Sequence, residues 1–345
     1  MKLSITVVIP VKNAEPHLKT LFSALEKQTI KPNEIIFIDN LSSDGTVEII
    51  KKHIDRLKSL NIKLLTQKKL GPSAARNLGI KEAKSDIIAF TDADCIPSKD
   101  WISNIIHFFK KNTDVCGVNG VTLGYKPSTL IQKLKALERE KISAANEGYI
   151  KNKFEIVYDK FLDTANSAIK KSILENNNFD EDFTIGEDIE LTLRLYKTCP
   201  KIFTNNHQII NWHKDRKNII NYFKTILKYR INYCKVIKKH FSKSITIMLP
   251  KQKTIYIPTN IPITTLITPM PFIVLIAFPI LILFPLISSI LIIAYILSTS
   301  LKIQKNNIVN NFHEAISITL LILIQKTISI IGKIIGSIKY KLICL

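Results

Sequence analysis

Asp92-Ala93-Asp94 follows the run Ile87-Ile88-Ala89-Phe90-Thr91, which places two carboxylates at the exit of an expected buried strand. A divalent metal and a diphosphate can meet there. Oxygen ligands suit Mg²⁺ or Mn²⁺, and Mg²⁺ commonly takes one or two protein carboxylates while substrate phosphates complete its shell. Taken alone, such a pair is also the material of a solvated turn. Glu187-Asp188, with Glu190, forms a second acidic group. It is either chemistry or the acidic first turn that a helix dipole favours. His213, in Asn211-Trp212-His213-Lys214, can ligate when neutral or donate when protonated. Without a neighbour it reads as a strand-end histidine.

The elements that would position these groups follow from periodicity. Strands are expected at Ile5 to Ile9, Glu34 to Asp39, Ile62 to Thr66 and Asp86 to Thr91. Between them lie a helix through Leu18, Leu21, Phe22 and Leu25, one through Val47, Ile50, Ile54 and Leu57, and one over Ser73 to Ala83. This β-α-β-α-β-α-β order predicts an α/β fold whose parallel sheet binds ligands beyond the carboxyl ends of its strands. Asp39, Asn40, Asp92 and Asp94 all fall at that edge. The dinucleotide fingerprint G-x-G-x-x-G is absent after the first strand, where Pro10-Val11-Lys12-Asn13 stands instead. Ser42, Ser43 and Asp44 read as helix caps.

The 345 residues exceed one typical domain, and hydropathy divides them. From Thr254 to Leu301 there is no Asp, Glu, Lys, Arg or His. That length predicts a membrane hairpin over about 261–301, turning near Phe284-Pro285, because one span needs about 20 apolar residues. Residues 315–335 are interrupted by Gln325, Lys326 and Lys333, and fit either a third span or an interfacial helix. The net charge of +21 is concentrated beside these segments: residues 214–253 carry twelve Lys or Arg against Asp215. Such a basic juxtamembrane segment marks a cytoplasmic face and attracts anionic membrane lipids. No zinc-finger, RNP or helix-turn-helix signature accompanies the charge, so no nucleic acid partner is expected. The five cysteines show no C-x-x-C spacing, and neither a zinc site nor a disulfide framework is predicted. Ile5 to Ile9, stopped by Pro10, is too short for a secretory signal, so export of the N-terminal domain is not expected.

Five stretches together resemble the family 2 glycosyltransferases. They are Val7-Val8-Ile9-Pro10-Val11-Lys12-Asn13, Ile38-Asp39-Asn40-Leu41-Ser42-Ser43-Asp44-Gly45-Thr46, Gly71-Pro72-Ser73-Ala74-Ala75-Arg76-Asn77-Leu78-Gly79, Phe90-Thr91-Asp92-Ala93-Asp94 and Gly186-Glu187-Asp188-Ile189-Glu190-Leu191-Thr192-Leu193-Arg194. The resemblance implies a GT-A nucleotide-diphospho-sugar transferase fold over residues 1–213. A basic amphipathic segment over 214–253 and a membrane region over 254–345, with C-terminal transmembrane helices, would follow.

By the same resemblance, Pro10, Asn13, Asp39, Asn40, Arg76 and Asp92 line the site of a nucleotide-sugar donor. Many relatives have a second acid where this chain has Asn40. Arg76 is either a phosphate-facing cation or a solvated helical arginine. Asp94, Asp92 and His213 would hold Mn²⁺ or Mg²⁺. Asp188 matches the general base of an inverting transfer, and Glu187 is the neighbour that orients or replaces it. The Q-x-x-R-W signature of processive synthases is missing, which favours transfer of one sugar to a lipid-linked or glycan acceptor at the cytoplasmic membrane face. The competing readings are a catalytically silent membrane scaffold and a sugar nucleotidyltransferase.

Overall fold

The computed structural model describes residues 3–144, 147–151, 156, 160–199, 201–241, 244–248, 254–258, 264–267 and 285–344. Its chain divides into two compact units, one of residues 1–125 and 138–215, the other of 126–137 and 216–345.

The first unit is built on a nine-stranded mixed sheet. Strands β1 (Ile5–Val11), β2 (Glu34–Asp39), β3 (Ile62–Thr66) and β4 (Ile87–Thr91) are mutually parallel in the order β3-β2-β1-β4. Helices α1 (Glu15–Glu26), α2 (Thr46–Arg56) and α3 (Pro72–Glu82) alternate with them. The expected order of alternation is therefore present, with β1 running two residues beyond Ile9.

Alternation of side chains along the strands explains why both faces are dry. Ile5, Val7 and Ile9 of β1, with Ile35 and Phe37 of β2, meet Leu18, Leu21, Phe22 and Ile50 in one core. Val8 and Ile38 point the other way, toward α3, where Gly79 leaves no room for a Cβ: one would lie 2.5 Å from Val8 Cγ1. Strands buried on both faces read as continuous apolar runs, which is why the sequence exposed them.

Past β4 the sheet turns mixed. Short β5 (Cys95–Pro97), helix α4 (Trp101–Lys111), β6 (Gly117–Gly124), α5 (Leu130–Ser143), β7 (Gly148–Tyr149), β8 (Asn166–Lys170), the single turn α6 (Lys171–Leu174), α7 (Glu187–Thr198) and β9 (Ile202–His213) follow. Strand β8 is antiparallel to both β4 and β6, and β9 pairs parallel to β6 and antiparallel to β5. The β6–β9 ladder shifts register around Gly120, whose missing Cβ would sit 1.8 Å from the Ile209 carbonyl oxygen. One buried polar network here is closed: Trp101 donates its indole N–H to Asn166 Oδ1 at 2.7 Å, and the Asn166 amide donates to the Val121 and Ile209 carbonyls. Cys116 and Cys199, 83 residues apart, are bridged as a disulfide, contrary to the expectation of none. Sequence spacing carried no trace of it because Cys116, just before β6, and Cys199, the C-cap of α7, meet only in the fold.

In the second unit, α8 (Ile219–His240) packs along α10 (Phe312–Tyr340), and α9 (Pro285–Gln304) packs against α10. The N-cap of α10 is Asn311, whose side chain accepts from the Glu314 N–H, while Glu314 also takes both of its Lys133 contacts at 2.7 Å. Gly332 and Gly336 let α8 approach closely: a Cβ on either would lie 2.7 Å from Arg230 Cβ or Cys234 Sγ. Among the described residues α10 is the one helix long and apolar enough to cross a membrane, with 29 residues and mean hydropathy 1.9 in its most apolar window.

A four-stranded sheet, β11-β10-β12-β13, comprises β10 (Ser244–Met248), β11 (Thr254–Pro258), β12 (Thr264–Ile267) and β13 (Ile343–Cys344). Strand β12 falls within the first limb of the expected hairpin over about 261–301. Thr264, Thr265 and Ile267 are β-branched and lie between Pro262 and Pro269, a setting that favours a short strand. The remainder of that limb, 261–263 and 268–284, lies outside the described residues.

Candidate active site

Parallel β1, β2 and β4 end on one edge, so the loops carrying Pro10, Asn13, Asp39, Asn40, Asp92 and Asp94 converge there. Val11 is in register with Asp39, and Pro10 with Ile38. The first two loops are laced to each other. Asn13, at φ +50°, accepts the Ser43 N–H at 2.8 Å, and its own N–H donates to Ser42 Oγ at 2.9 Å. The Asn40 amide donates to the Gln67 and Lys69 carbonyls and accepts the Gly71 N–H, which fixes the entry to α3. Asp39 is buried at the rim, and both its oxygens accept the Ser42 N–H at 3.3 Å.

Two clusters stand beyond this rim. In the first, buried Arg76 of α3 donates to Glu187 Oε1 at 2.8 Å and to Asp92 Oδ1 at 3.0 Å, with its guanidinium 5.7 Å above the Phe179 ring. This one cation ties the end of β4 to the start of α7. The turn into α7 depends on Gly186, whose φ of +78° places Glu187 and Asp188 in the first helical turn. Asp188 is 5 % exposed and accepts the Ile189 N–H at 2.8 Å. Burial, then the neighbouring Glu187 and Asp163 carboxylates, push its carboxyl well above the usual aspartate range, against the Ile189 N–H and Arg76. A carboxylate held this way is a stronger base than an ordinary aspartate. Glu190, fully buried, receives the Arg194 guanidinium at 2.9 and 3.0 Å, a helix-internal pair.

The second cluster joins Asp94 to the end of β9. Cys95 is in register with His213, and the Lys214 N–H donates to the Asp94 carbonyl at 2.8 Å. His213 Nε2 lies 3.4 Å from Asp94 Oδ1, and Nδ1 lies 3.2 Å from Asp215 Oδ1. Donor atoms of Asp94, Cys95 and His213 all fall within 4.8 Å of one another. Burial and the Asp94 and Asp92 charges push the Cys95 thiol well up, and hard divalent cations favour carboxylate oxygen over sulfur, which leaves Asp94 and His213 as the donors. That pair fits a divalent cation such as Mn²⁺ or Mg²⁺. Asp92 is not in this group; its Oδ1 is engaged by Arg76.

Asp163, Arg139 and Asp215 also belong here, and sequence reading did not single them out. Asp163 adds a carboxylate near Asp188; its only signal was its place just before Thr164-Ala165-Asn166. Arg139 grips Asp215 through Nε at 3.1 Å and a terminal nitrogen at 3.0 Å. Burial opposes ionisation of Asp215, yet the His213 ring beside it and the Arg139 hydrogen bonds hold its carboxyl far below the usual range. A separate groove of about 500 Å³ along α3, lined by Asn77, Lys81 and Lys171 among others, contains none of the expected site residues.

Residues 6–176 match the model of Glycosyl transferase family 2. This chain belongs to that family. The glycosyltransferase is 29 % identical over 237 residues to the dolichyl N-acetyl-alpha-D-glucosaminyl phosphate 3-beta-D-2,3-diacetamido-2,3-dideoxy-beta-D-glucuronosyltransferase of Methanococcus voltae, an alignment covering 65 % of this chain and 71 % of that protein. It is 30 % identical over 196 residues to the GalNAc(5)-diNAcBac-PP-undecaprenol beta-1,3-glucosyltransferase of Campylobacter jejuni, covering 56 % and 60 %. Among solved structures it resembles the mannosyltransferase PcManGT of Pyrobaculum calidifontis in complex with GDP-Man and Mn²⁺, with TM-score 0.55 and 17 % identity over 70 % of this chain and 65 % of that one. At that identity the likeness shows the GT-A-like fold alone.

Proposed function

We propose that this glycosyltransferase moves one sugar, with inversion, from a nucleotide-sugar donor to a lipid-linked glycan acceptor at the cytoplasmic membrane face. The observation that carries the reading is Asp188: a buried carboxylate with raised proton affinity, joined through Glu187 and Arg76 to Asp92 at the sheet edge. Inversion requires one base to take the acceptor hydroxyl's proton as that oxygen attacks the anomeric carbon. Asp188 is that base, and a positioned base contributes typically about 10² to 10⁴-fold. Glu187 is held by Arg76, which keeps the first turn of α7 in place. Asp39 and the Pro10–Asn13 loop receive the nucleoside, and Asp92 faces the ribose and diphosphate.

Asp94 and His213 would hold a divalent cation, which would supply Lewis-acid stabilisation of the charge on the leaving nucleoside diphosphate. The lipid-linked acceptor is supported by the relatives that act on dolichyl phosphate and undecaprenol diphosphate glycans. It is supported also by apolar α10 and by the basic residues 214–253, which suit anionic headgroups. A role in envelope glycan assembly follows.

The test supplies the detergent-purified protein with UDP-, GDP- and dTDP-sugars, Mn²⁺ or Mg²⁺, and polyprenyl-phosphate or polyprenyl-diphosphate sugars, and reads the product. Release of a nucleoside diphosphate with inverted anomeric configuration in a lipid product is expected. Release of inorganic diphosphate would mark a nucleotidyltransferase, and donor binding with no product on any acceptor would mark a silent scaffold.

A further inference from the structure

His213 is held on both sides, and only one side is accounted for by the sheet. Its backbone is fixed: its carbonyl accepts the Tyr125 N–H at 2.9 Å, and the ladder sets it beside Cys95. Those bonds place the Cα but leave the imidazole free to rotate about χ1 and χ2. What fixes the ring is Asp215, two residues on, whose Oδ1 lies 3.2 Å from Nδ1. Asp215 is itself immobilised, because the planar Arg139 fork takes both of its oxygens. Its side chain is 8 % exposed and that of Arg139 17 %. A carboxylate removed from water this far needs such a partner.

We propose that Asp215, clamped by Arg139, is a positioning residue that fixes the tautomer and direction of His213 so that Nε2 faces Asp94. Asp215 Oδ1 lies 3.2 Å from Nδ1 without an aligned hydrogen bond in this structure, and its charge favours a proton on Nδ1, which leaves the Nε2 lone pair for the space that Asp94 Oδ1 borders at 3.4 Å. A carboxylate behind a ligating histidine raises its basicity and prevents ring flips, and losing one typically weakens metal binding about 10 to 100-fold. Arg139 thus acts at third remove, by keeping Asp215 from turning to solvent. The sequence distance of 76 residues between Arg139 and Asp215 places this support on α5.

The inference rests on the reading of Asp94 and His213 as metal ligands, and the experiment separates the two. Mn²⁺ alone is titrated into the full-length detergent-purified protein, with free Mn²⁺ read by electron paramagnetic resonance, for wild type, His213→Ala, Asp215→Asn and the double variant Arg139→Gln/Asp215→Asn. The double variant removes the charge that the single one would strand, so a folded sample remains if Asp215→Asn unfolds. Asp215→Asn or the double variant is expected to weaken Mn²⁺ binding about 10 to 100-fold. In ¹⁵N-histidine spectra, the wild-type His213 signal, assigned by its absence in His213→Ala, is expected to show the Nδ1–H tautomer and both Asp215 variants a mixture. Wild-type Mn²⁺ affinity in the double variant, with His213→Ala weakened, would overturn the positioning role and leave the metal reading intact. No Mn²⁺ binding by wild type would overturn both.

Discussion

At the scale of single residues, the site is organised by charges that cannot be left alone. Arg76 is buried between Glu187 and Asp92, and removing one partner from a buried pair typically costs about 3–5 kcal/mol because the other charges lose their compensation. Arg76→Ala is therefore expected to lower the unfolding free energy read from urea titration by an amount of that order, whereas Arg56→Ala, at a surface pair with Glu26, should cost far less. Asp188 behaves in the opposite sense. Its folded carboxyl binds a proton more tightly than in the unfolded chain, so its contribution to stability is present below about pH 4 and is lost as pH rises through the folded value. Asp188→Asn should consequently gain stability relative to wild type as pH climbs from 4 toward neutrality. A gain of about 1 kcal/mol would raise the melting midpoint by roughly 2–4 °C. A gain that shrinks with pH would contradict the placement of Asp188 in a carboxylate-rich, desolvated pocket. The acid limb of turnover should likewise fall above the ordinary aspartate range.

At the scale of elements, one close approach makes the strongest demand. Gly120 faces the Ile209 carbonyl at the β6–β9 register shift, and any Cβ there meets backbone 1.8 Å away. Gly120→Ala should therefore displace β9, which ends in His213, and weaken folding and Mn²⁺ binding together; unchanged thermal unfolding would refute that placement. Much of this scale was legible in the sequence. Strands β1, β2 and β4 appear as near-continuous apolar runs because both sheet faces are covered there, whereas β3 carries Lys63 and is only partly buried; Asp39, Asp92 and Asp94 fall at or just past the ends of β2 and β4. The links between elements were not legible. Arg76 meets Glu187 across 111 residues and Arg139 meets Asp215 across 76, and nothing local in either segment announces a partner. For Asn40, the residues that it bonds lie in the next loops, so its work in fixing Gly71 could be seen only once folded.

At the scale of the whole molecule, an α/β transferase unit and a helical, basic and apolar unit share one chain. If α10 spans the bilayer, the protein should remain with membranes through both 1 M salt and alkaline carbonate washes. Release by salt alone would make residues 214–253 a peripheral electrostatic anchor, since surface attraction of this kind is screened within about 10 Å at 0.1 M and less at higher salt.

The account depends most on Asp188 as the base. The deciding measurement is nucleoside diphosphate release by Asp188→Asn beside wild type, with donor affinity measured on the same samples. Turnover lower by about 10² to 10⁴-fold with donor affinity unchanged is the predicted result. Turnover within a few-fold of wild type would contradict it and move the search for the base to Glu187 or Asp163.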